Sequence, residues 1–426
     1  MGDRIVENIK PKPLRQIMKK YQLRPYQEQC VKKILWSQKL EGNEVACLPV
    51  GSGKSIILAE LAHRLQKPIL ILAPSKELLE QDYEKLNNYV DKSEIGIYSN
   101  SMHRKDINFF TFGTIQSCYK KPELFKDFKC VIVDEAQNVD PRNLDGMYTS
   151  FFQSIGFPKV IGLSATPFRL SLMYRMGQYG LEGITTTKLI TRMKGFFWKR
   201  IIFNIDHEEL VKQGYLAPLR YLDKSVIGHQ DIPLNTSHSE FDLEKFEKRI
   251  IDKHEEIITA LLFAKELSKN CLVFCTSVQQ AADLAEELEG EVVSANTPSK
   301  ERQRIVQGFR DGAIPMVFNV GIFSEGFDKP NLDMICLVRP TRSLALHCQQ
   351  LGRGARPFPG KNFCRVLDLV GNIKGLGTLE SLKIVKREKW EIETNVNPNW
   401  HNYPLDSFLI APKDRAGEAP AHTNIC

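Results

Sequence analysis

No apolar run in this 426-residue chain approaches the roughly 20 residues that a membrane-spanning helix needs. The first residues, MGDRIVENIKPKPLRQ, lack the apolar core of a secretory signal, and Val6 stands where a myristoylation signal carries Ser or Thr. The expectation is a soluble protein of the cytoplasm. The ten cysteines form no paired CxxC sets, which removes the usual zinc frameworks. Cys130, Cys271, Cys275 and Cys336 sit in apolar, strand-like runs, so buried reduced thiols are expected. No repeat of solenoid length is present. Charge of neither sign dominates: 58 Lys and Arg stand against 51 Asp and Glu, a net +7 that suits a polyanionic partner without singling one out. Basic residues gather from Lys10 to Lys20 and from Lys374 to Lys389, as solvated helix faces or as contacts to nucleic acid.

Short apolar runs recur with helical segments between them. PILILAP, FFTFGT, CVIVDEA and VIGLSAT form a first series; CLVFCTS, EVVSAN, MVFNVG, MICLVRP and CRVLDLVG form a second. Such alternation predicts βαβ units, and a chain of this length holds two α/β domains in tandem. The expected division is 1–216, 217–375 and an extension over 376–426 whose last dozen residues are disordered, with Gly214 and Pro218 marking the exit from the first domain. The polar stretch Ile227 to Glu240 reads as a surface loop, and no strand-separating insertion is legible.

Two strings point to phosphate chemistry. LPVGSGKS, Leu48 to Ser55, places a Gly-rich turn between an apolar run and a good helix, so backbone N–H groups of the turn and the helix N-terminus can face an anion. Lys54 would reach the β/γ-phosphates and Ser55 a Mg²⁺ ion. QQLGRGAR, Gln349 to Arg356, sets Arg353 and Arg356 three residues apart, on one face if the segment is helical, where both could meet a γ-phosphate from across a cleft. Asp134 and Glu135 follow CVIV and would emerge at the carboxyl end of a buried strand. There one carboxylate can hold the metal and the other can orient or deprotonate a water.

Taken together these strings resemble superfamily 2 helicases and DNA translocases, from Leu23 to Gly371. LRPYQ resembles the adenine-reading Q-type motif, with Gln27 the implied base contact and Arg24 beside it. LPVGSGKS, through Pro49, Val50, Gly51, Ser52, Gly53, Lys54 and Ser55, resembles Walker A, and VDEAQ resembles the DEAD/H box. SATPFR, with Ser164, Ala165 and Thr166, is similar to the motif that couples the two domains. FSEGFDKP resembles the motif in which Gly326 and Asp328 approach the nucleotide, and QQLGRGAR fits QxxGRxxR through Gln350, Arg353 and Arg356. Leu48 stands where the strict loop pattern has Gly. Gln137 replaces the acid or histidine of the box, keeping hydrogen-bonding capacity and losing charge.

The resemblance implies two RecA-like domains with ATP and Mg²⁺ in the cleft between them. It also implies a nucleic-acid track on the opposite edge of both sheets, touched by Pro74, Ser75, Lys76, Thr114, Gln116 and Ser277; ordinary N-capping is the alternative for the hydroxyl residues. HEELVKQGYLAPLRY, NVGIFSEGFDKP and RPTRSLALHCQQLGRGARPFPGK are most similar to the branch that contains the XPB-type repair helicases, the UvsW-type phage branch-migration helicases and restriction-enzyme motor subunits, the stand-alone helicases fitting the compact size best. That narrower resemblance implies a monomeric motor in a bacterial or phage-infected cytoplasm, acting on forks, D-loops or Holliday junctions. An RNA helicase, or a clamp that binds ATP without hydrolysing it, are the rival readings.

Overall fold

The computed structural model describes residues 21–140, 146–321, 329–396 and 408–410, apart from positions 178, 179, 194, 196, 238 and 395. The basic run Lys10 to Lys20, most of FSEGFDKP with Gly326 and Asp328, and the last dozen residues lie outside that set. Two parallel sheets dominate. The first takes β1 (Asn43–Cys47), β2 (Ile69–Leu72), β3 (Ile95–Ser99), β4 (Arg104–Lys105), β5 (Phe110–Gly113), β6 (Cys130–Asp134) and β7 (Lys159–Ser164). After a two-stranded ribbon, β8 (Phe168–Gly177) and β9 (Gly180–Leu189), the chain returns to the edge of the first sheet as β10 (Trp198–Asn204). The spatial order is β10-β1-β7-β6-β2-β5-β3-β4, parallel except for the short edge strand β4. Strands covered on both faces become continuous apolar runs, and in β2 every residue of Ile-Leu-Ile-Leu is fully buried.

The second sheet is formed by β11 (Leu219–Asp223), β12 (Cys271–Phe274), β13 (Glu291–Ser294), β14 (Met316–Val320), β15 (Met334–Leu337) and β16 (Cys364–Asp368). Its order is β11-β16-β15-β12-β14-β13, all parallel. Two α/β domains are thus present, as the apolar runs predict, each built on a parallel sheet as the resemblance to RecA-like motors implies. The Gly-rich interval after SATPFR is the long β8–β9 ribbon, with paired positions from Phe168↔Leu189 to Gly177↔Gly180. Every cysteine among the described residues is free and buried.

Helix entry and exit follow local chemistry. The helix Pro25–Ser37 opens with proline at its first position and buries Tyr26, Cys30, Val31 and Ile34, a three-to-four residue repeat on the sheet face. Gly214, in the left-handed region at φ +72°, turns the chain out of the short helix His207–Lys212 toward the second sheet. The stretch Ile227 to Glu240 is more than a surface loop. His229 Nε2 lies 2.9 Å from Asn372 Oδ1, and the Glu240 carboxylate accepts from Arg342 N–H at 2.6 Å and from the Thr341 hydroxyl at 3.0 Å, fixing the start of the helix Leu344–Gly352.

Beyond the second sheet, β17 (Lys383–Lys386), β18 (Trp390–Thr394) and β19 (Phe408–Ile410) make a small third sheet. The segment leading into it touches both halves. Glu380 accepts from Leu219 N–H at 3.3 Å and from the Tyr221 hydroxyl at 2.6 Å, while the Ile384 carbonyl accepts from Asn204 Nδ2 at 2.9 Å. No helix among the described residues is long and apolar enough to cross a membrane.

Candidate active site

Three adjacent strands set the floor of the site. β1 pairs with β7 and β7 with β6, so Cys47 stands level with Ser164 and Leu163 with Asp134. The Gly-rich loop, Ser164 to Thr166 and the Asp134–Glu135 pair therefore leave the sheet side by side on its carboxyl edge, where parallel sheets bind ligands. Leu48 N–H donates to the Ser164 carbonyl at 2.9 Å, carrying the pairing one step past the strand.

Gly53 caps the helix Lys54–Leu65 at φ +82°, where a side chain would be strained and would meet Gln27 Nε2 at 2.6 Å. Gln27 is tied at both ends. Its Oε1 accepts from Arg24 N–H at 2.9 Å and its Nε2 donates to the Ser52 carbonyl at 3.0 Å, a carbonyl that also accepts from the Tyr26 hydroxyl. The Arg24 guanidinium lies 4.8 Å from the Tyr215 ring centroid, and the Tyr26 and Tyr215 rings are 5.4 Å apart. The Q-type segment thus braces the loop from below, with an aromatic pair that was not singled out in the sequence. Pro49, Val50 and Ala165 line a narrow cleft behind the loop with Cys348 and Leu379.

Lys54 Nζ lies 3.5 Å from Glu135 Oε1, both side chains largely buried. Glu135 adopts φ +55°, an uncommon conformation for a residue with a side chain, and opens a short 3₁₀ turn. Gln137 then bridges two motifs: its Nε2 donates to Glu135 Oε2 at 2.8 Å and its Oε1 accepts from the Ser164 hydroxyl. The Ser164 oxygen accepts in turn from Thr166 N–H at 3.0 Å. A glutamine has both a donor and an acceptor, which a carboxylate in that place would lack, so the loss of charge at this position leaves the link from the box to SATPFR intact.

Asp134 is buried, and burial together with its neighbours Asp82 and Glu135 pushes its carboxyl well above the usual range, Lys54 opposing. Asp82, on the helix Lys76–Leu86, is pushed up to about 7, chiefly by burial. Asp134 Oδ1 has no hydrogen-bond partner. A buried, unpartnered carboxylate oxygen near the Ser55 end of the loop fits a hard divalent cation. Among the described residues no three His, Cys, Asp or Glu side chains converge to hold a metal unaided. Phosphate oxygens and water would therefore complete the shell of a cation held by Ser55 and Asp134.

The second wall comes from the helix Leu344–Gly352 and the turn after it. Gly352 lies against Val50 so closely that a Cβ there would overlap the valine, and the backbone of Gly51 lies under Arg356, whose Cγ is 3.3 Å from where a Gly51 Cβ would stand. Gln350 and Arg353 are buried. The structure brings Arg356 to the lysine-bearing loop, but not by a shared helical face: the helix stops at Gly352, with Arg353 as its C-cap. The turn is held instead by Lys361, whose ammonium donates to the carbonyls of Gly354, Arg356 and Pro330 at 2.7, 3.0 and 3.0 Å.

The expected track residues require one correction. Ser75 follows β2, Thr114 follows β5 and Ser277 follows β12, so all leave their sheets at the carboxyl edge, the edge that carries the Gly-rich loop, and not the opposite one. Parallel strands allow nothing else. In the first sheet they are displaced sideways, toward β2 and β5. Ser75 and Ser277 cap their helices, accepting from Leu78 N–H at 3.3 Å and Gln280 N–H at 3.2 Å, and each keeps its hydroxyl proton to donate. Thr114 is buried and donates to Ser117 at 3.0 Å, Pro74 leads into Ser75, Lys76 pairs with Glu80 at 3.6 Å, and Gln116 is exposed.

A family model described as "Type III restriction enzyme, res subunit" matches residues 20–169, and one described as "Helicase conserved C-terminal domain" matches residues 252–357. The DNA 3'-5' translocase XPB2 of Sulfurisphaera tokodaii is 24% identical over 374 residues, covering 82% of this chain and 82% of the relative. The chain belongs to the superfamily 2 helicases, in their XPB-like branch. IRC3 of Saccharomyces cerevisiae is 25% identical over 381 residues, 82% of this chain and 51% of the relative. The helicase chain thus spans about half the length of IRC3, and 65% and 58% of the next two curated relatives it matches. In fold it is similar to the ATP-dependent Type ISP restriction-modification enzyme LlaBIII bound to DNA, with a TM-score of 0.62 at 14% identity over 83% of this chain and 28% of that one.

Proposed function

We propose that this chain is an ATP-driven DNA translocase or helicase, with hydrolysis in the cleft between lobes 1–216 and 217–375 and the segment 376–426 as an extension. One observation carries the reading: the second-wall residues Gly352 and Arg356 lie on the Gly-rich loop whose lysine pairs with Glu135. The loop N–H groups and Lys54 bind the phosphates, and Arg24 and Gln27 stand on the base side. Ser55 and Asp134 hold the cation, which supplies charge neutralisation of the phosphates. Glu135, oriented by Gln137, positions the attacking water and takes its proton, and Arg353 and Arg356 offset charge developing on the γ-phosphate, with Gln350 beneath them. Gly326 and Asp328, outside the described residues, would contact the nucleotide and its ribose, as the resemblance implies. Closure of the lobes on ATP and their release after hydrolysis moves the grip between the Pro74–Lys76 and Thr114–Gln116 loops and the Ser277 loop.

DNA as the track is supported by the XPB-like relatives and suits the net positive charge; the proposal extends it to branched DNA on the resemblance of NVGIFSEGFDKP and RPTRSLALHCQQLGRGARPFPGK to the UvsW-type branch-migration helicases. The test is ATPase stimulation by single-stranded DNA, duplex, a four-way junction and RNA. The expected order places the junction first and RNA last. Equal stimulation by RNA would move the assignment to an RNA helicase, and no stimulation by any of them to an ATP-switched clamp.

A further inference from the structure

The steps above leave one buried acid without a task. Asp82 is 1% exposed, and neither carboxylate oxygen has a hydrogen-bond partner. It stands in the second half of the helix Lys76–Leu86, beside Ser55 and close enough to Lys54, Glu135 and Asp134 to share their electrostatics. Asp134 Oδ1 is buried and unpartnered in the same space. Three acids then face a single ammonium, an arrangement that a fold gains nothing from keeping dry, since a buried carboxylate without a partner is destabilising. A hydrated divalent cation resolves both problems, because its waters donate hydrogen bonds and its charge offsets the surplus.

We propose that Asp82 is a positioning residue for the metal–nucleotide complex, accepting hydrogen bonds from water on the cation that Ser55 and Asp134 would hold. The proposal rests on the ATP-site reading above. It makes the helix that begins at Ser75 a rigid link, about 10 Å long at 1.5 Å per residue, between a track loop and the metal's water shell.

The experiment uses the full chain with a non-hydrolysable ATP analogue and Mn²⁺ as the paramagnetic probe. Asp82→Asn and Asp82→Ala should leave metal-free nucleotide binding unchanged or tighter and weaken Mn²⁺ binding to the nucleotide complex about 10- to 100-fold, the usual effect of losing an outer-shell partner. Thermal melting without nucleotide should show both variants as stable as the parent or more so, because the cost of burying the carboxylate they remove outweighs the help it receives from the Ser55 hydroxyl and Lys54. Unchanged Mn²⁺ affinity in either folded variant overturns the proposal, as does a lowered melting temperature in both with unchanged affinity, which marks a purely structural acid. Failure of the parent chain to bind the nucleotide more tightly with Mn²⁺ removes the ATP-site reading itself and this proposal with it.

Discussion

The two walls of the cleft are built on different principles. The first is electrostatic: Asp82, Asp134 and Glu135 surround Lys54 in a buried space held by Gln137, Ser164 and the braced loop. The second is steric: a glycine on Val50, an arginine over Gly51, and a lysine that fixes the turn by binding carbonyls. The difference teaches that one wall holds the chemistry in readiness, whereas the other acts by how closely it approaches. Substitutions should therefore fall into two kinds, those that remove a charge and those that change a distance.

The sharpest test strips the first wall. Lys54→Ala should bring ATPase turnover below detection, and nucleic-acid-stimulated hydrolysis in that variant would break the assignment of the loop. Arg356→Ala should lower turnover by about 10³ to 10⁵ while fluorescent-nucleotide binding persists, as for loss of an arginine finger. Gly352→Ala probes distance alone. Its added methyl overlaps Val50, and overpacking of about 1–3 kcal/mol at closure translates into a turnover loss of roughly 5- to 150-fold. Val50→Ala in the same chain should restore much of it, and no restoration would show that steric approach is not what Gly352 provides.

The smallest effect concerns acid stability. Burial depresses His207, in the connecting segment, and His347, in the second wall, from 6.5 to about 4. Both are neutral in the folded chain and protonate more readily when unfolded. The stability they confer is complete above pH 6.5 and is lost as pH falls through about 4, up to about 3 kcal/mol for each. His347→Gln, which keeps a donor for the Gly377 carbonyl that His347 Nε2 meets at 2.9 Å, should flatten the acid limb of melting temperature against pH.

Much of this was legible in the sequence because it depends on local pattern. Apolar runs such as PILILAP and MICLVRP announced buried parallel strands, and a glycine-rich turn between strand and helix announced its loop. The β8–β9 ribbon was not legible, since its glycines and polar residues read as linker and its pairing is internal. β10 was hidden too: WKRIIFN carries two charges, and Arg200 lies at the sheet edge near Glu44. In the site, Tyr215 and Asp82 were missed because each acts through a contact distant in sequence, and Lys361 because its bonds to the Gly354 and Arg356 carbonyls follow no motif spacing. The edge carrying the expected track residues was misassigned for a topological reason. A loop that follows a parallel strand must leave on the same side as every other such loop.

The tail described beyond the second sheet has a mechanical consequence. Glu380 grips the first strand after the crossover while Ile384 holds the last strand before it, and Lys383 adds an ion pair to Glu208 at 2.9 Å. Any swing of the lobes about residues 205–218 must drag this clasp or peel one end of it. The range of motion is then governed by a stretch of chain that belongs to neither parallel sheet.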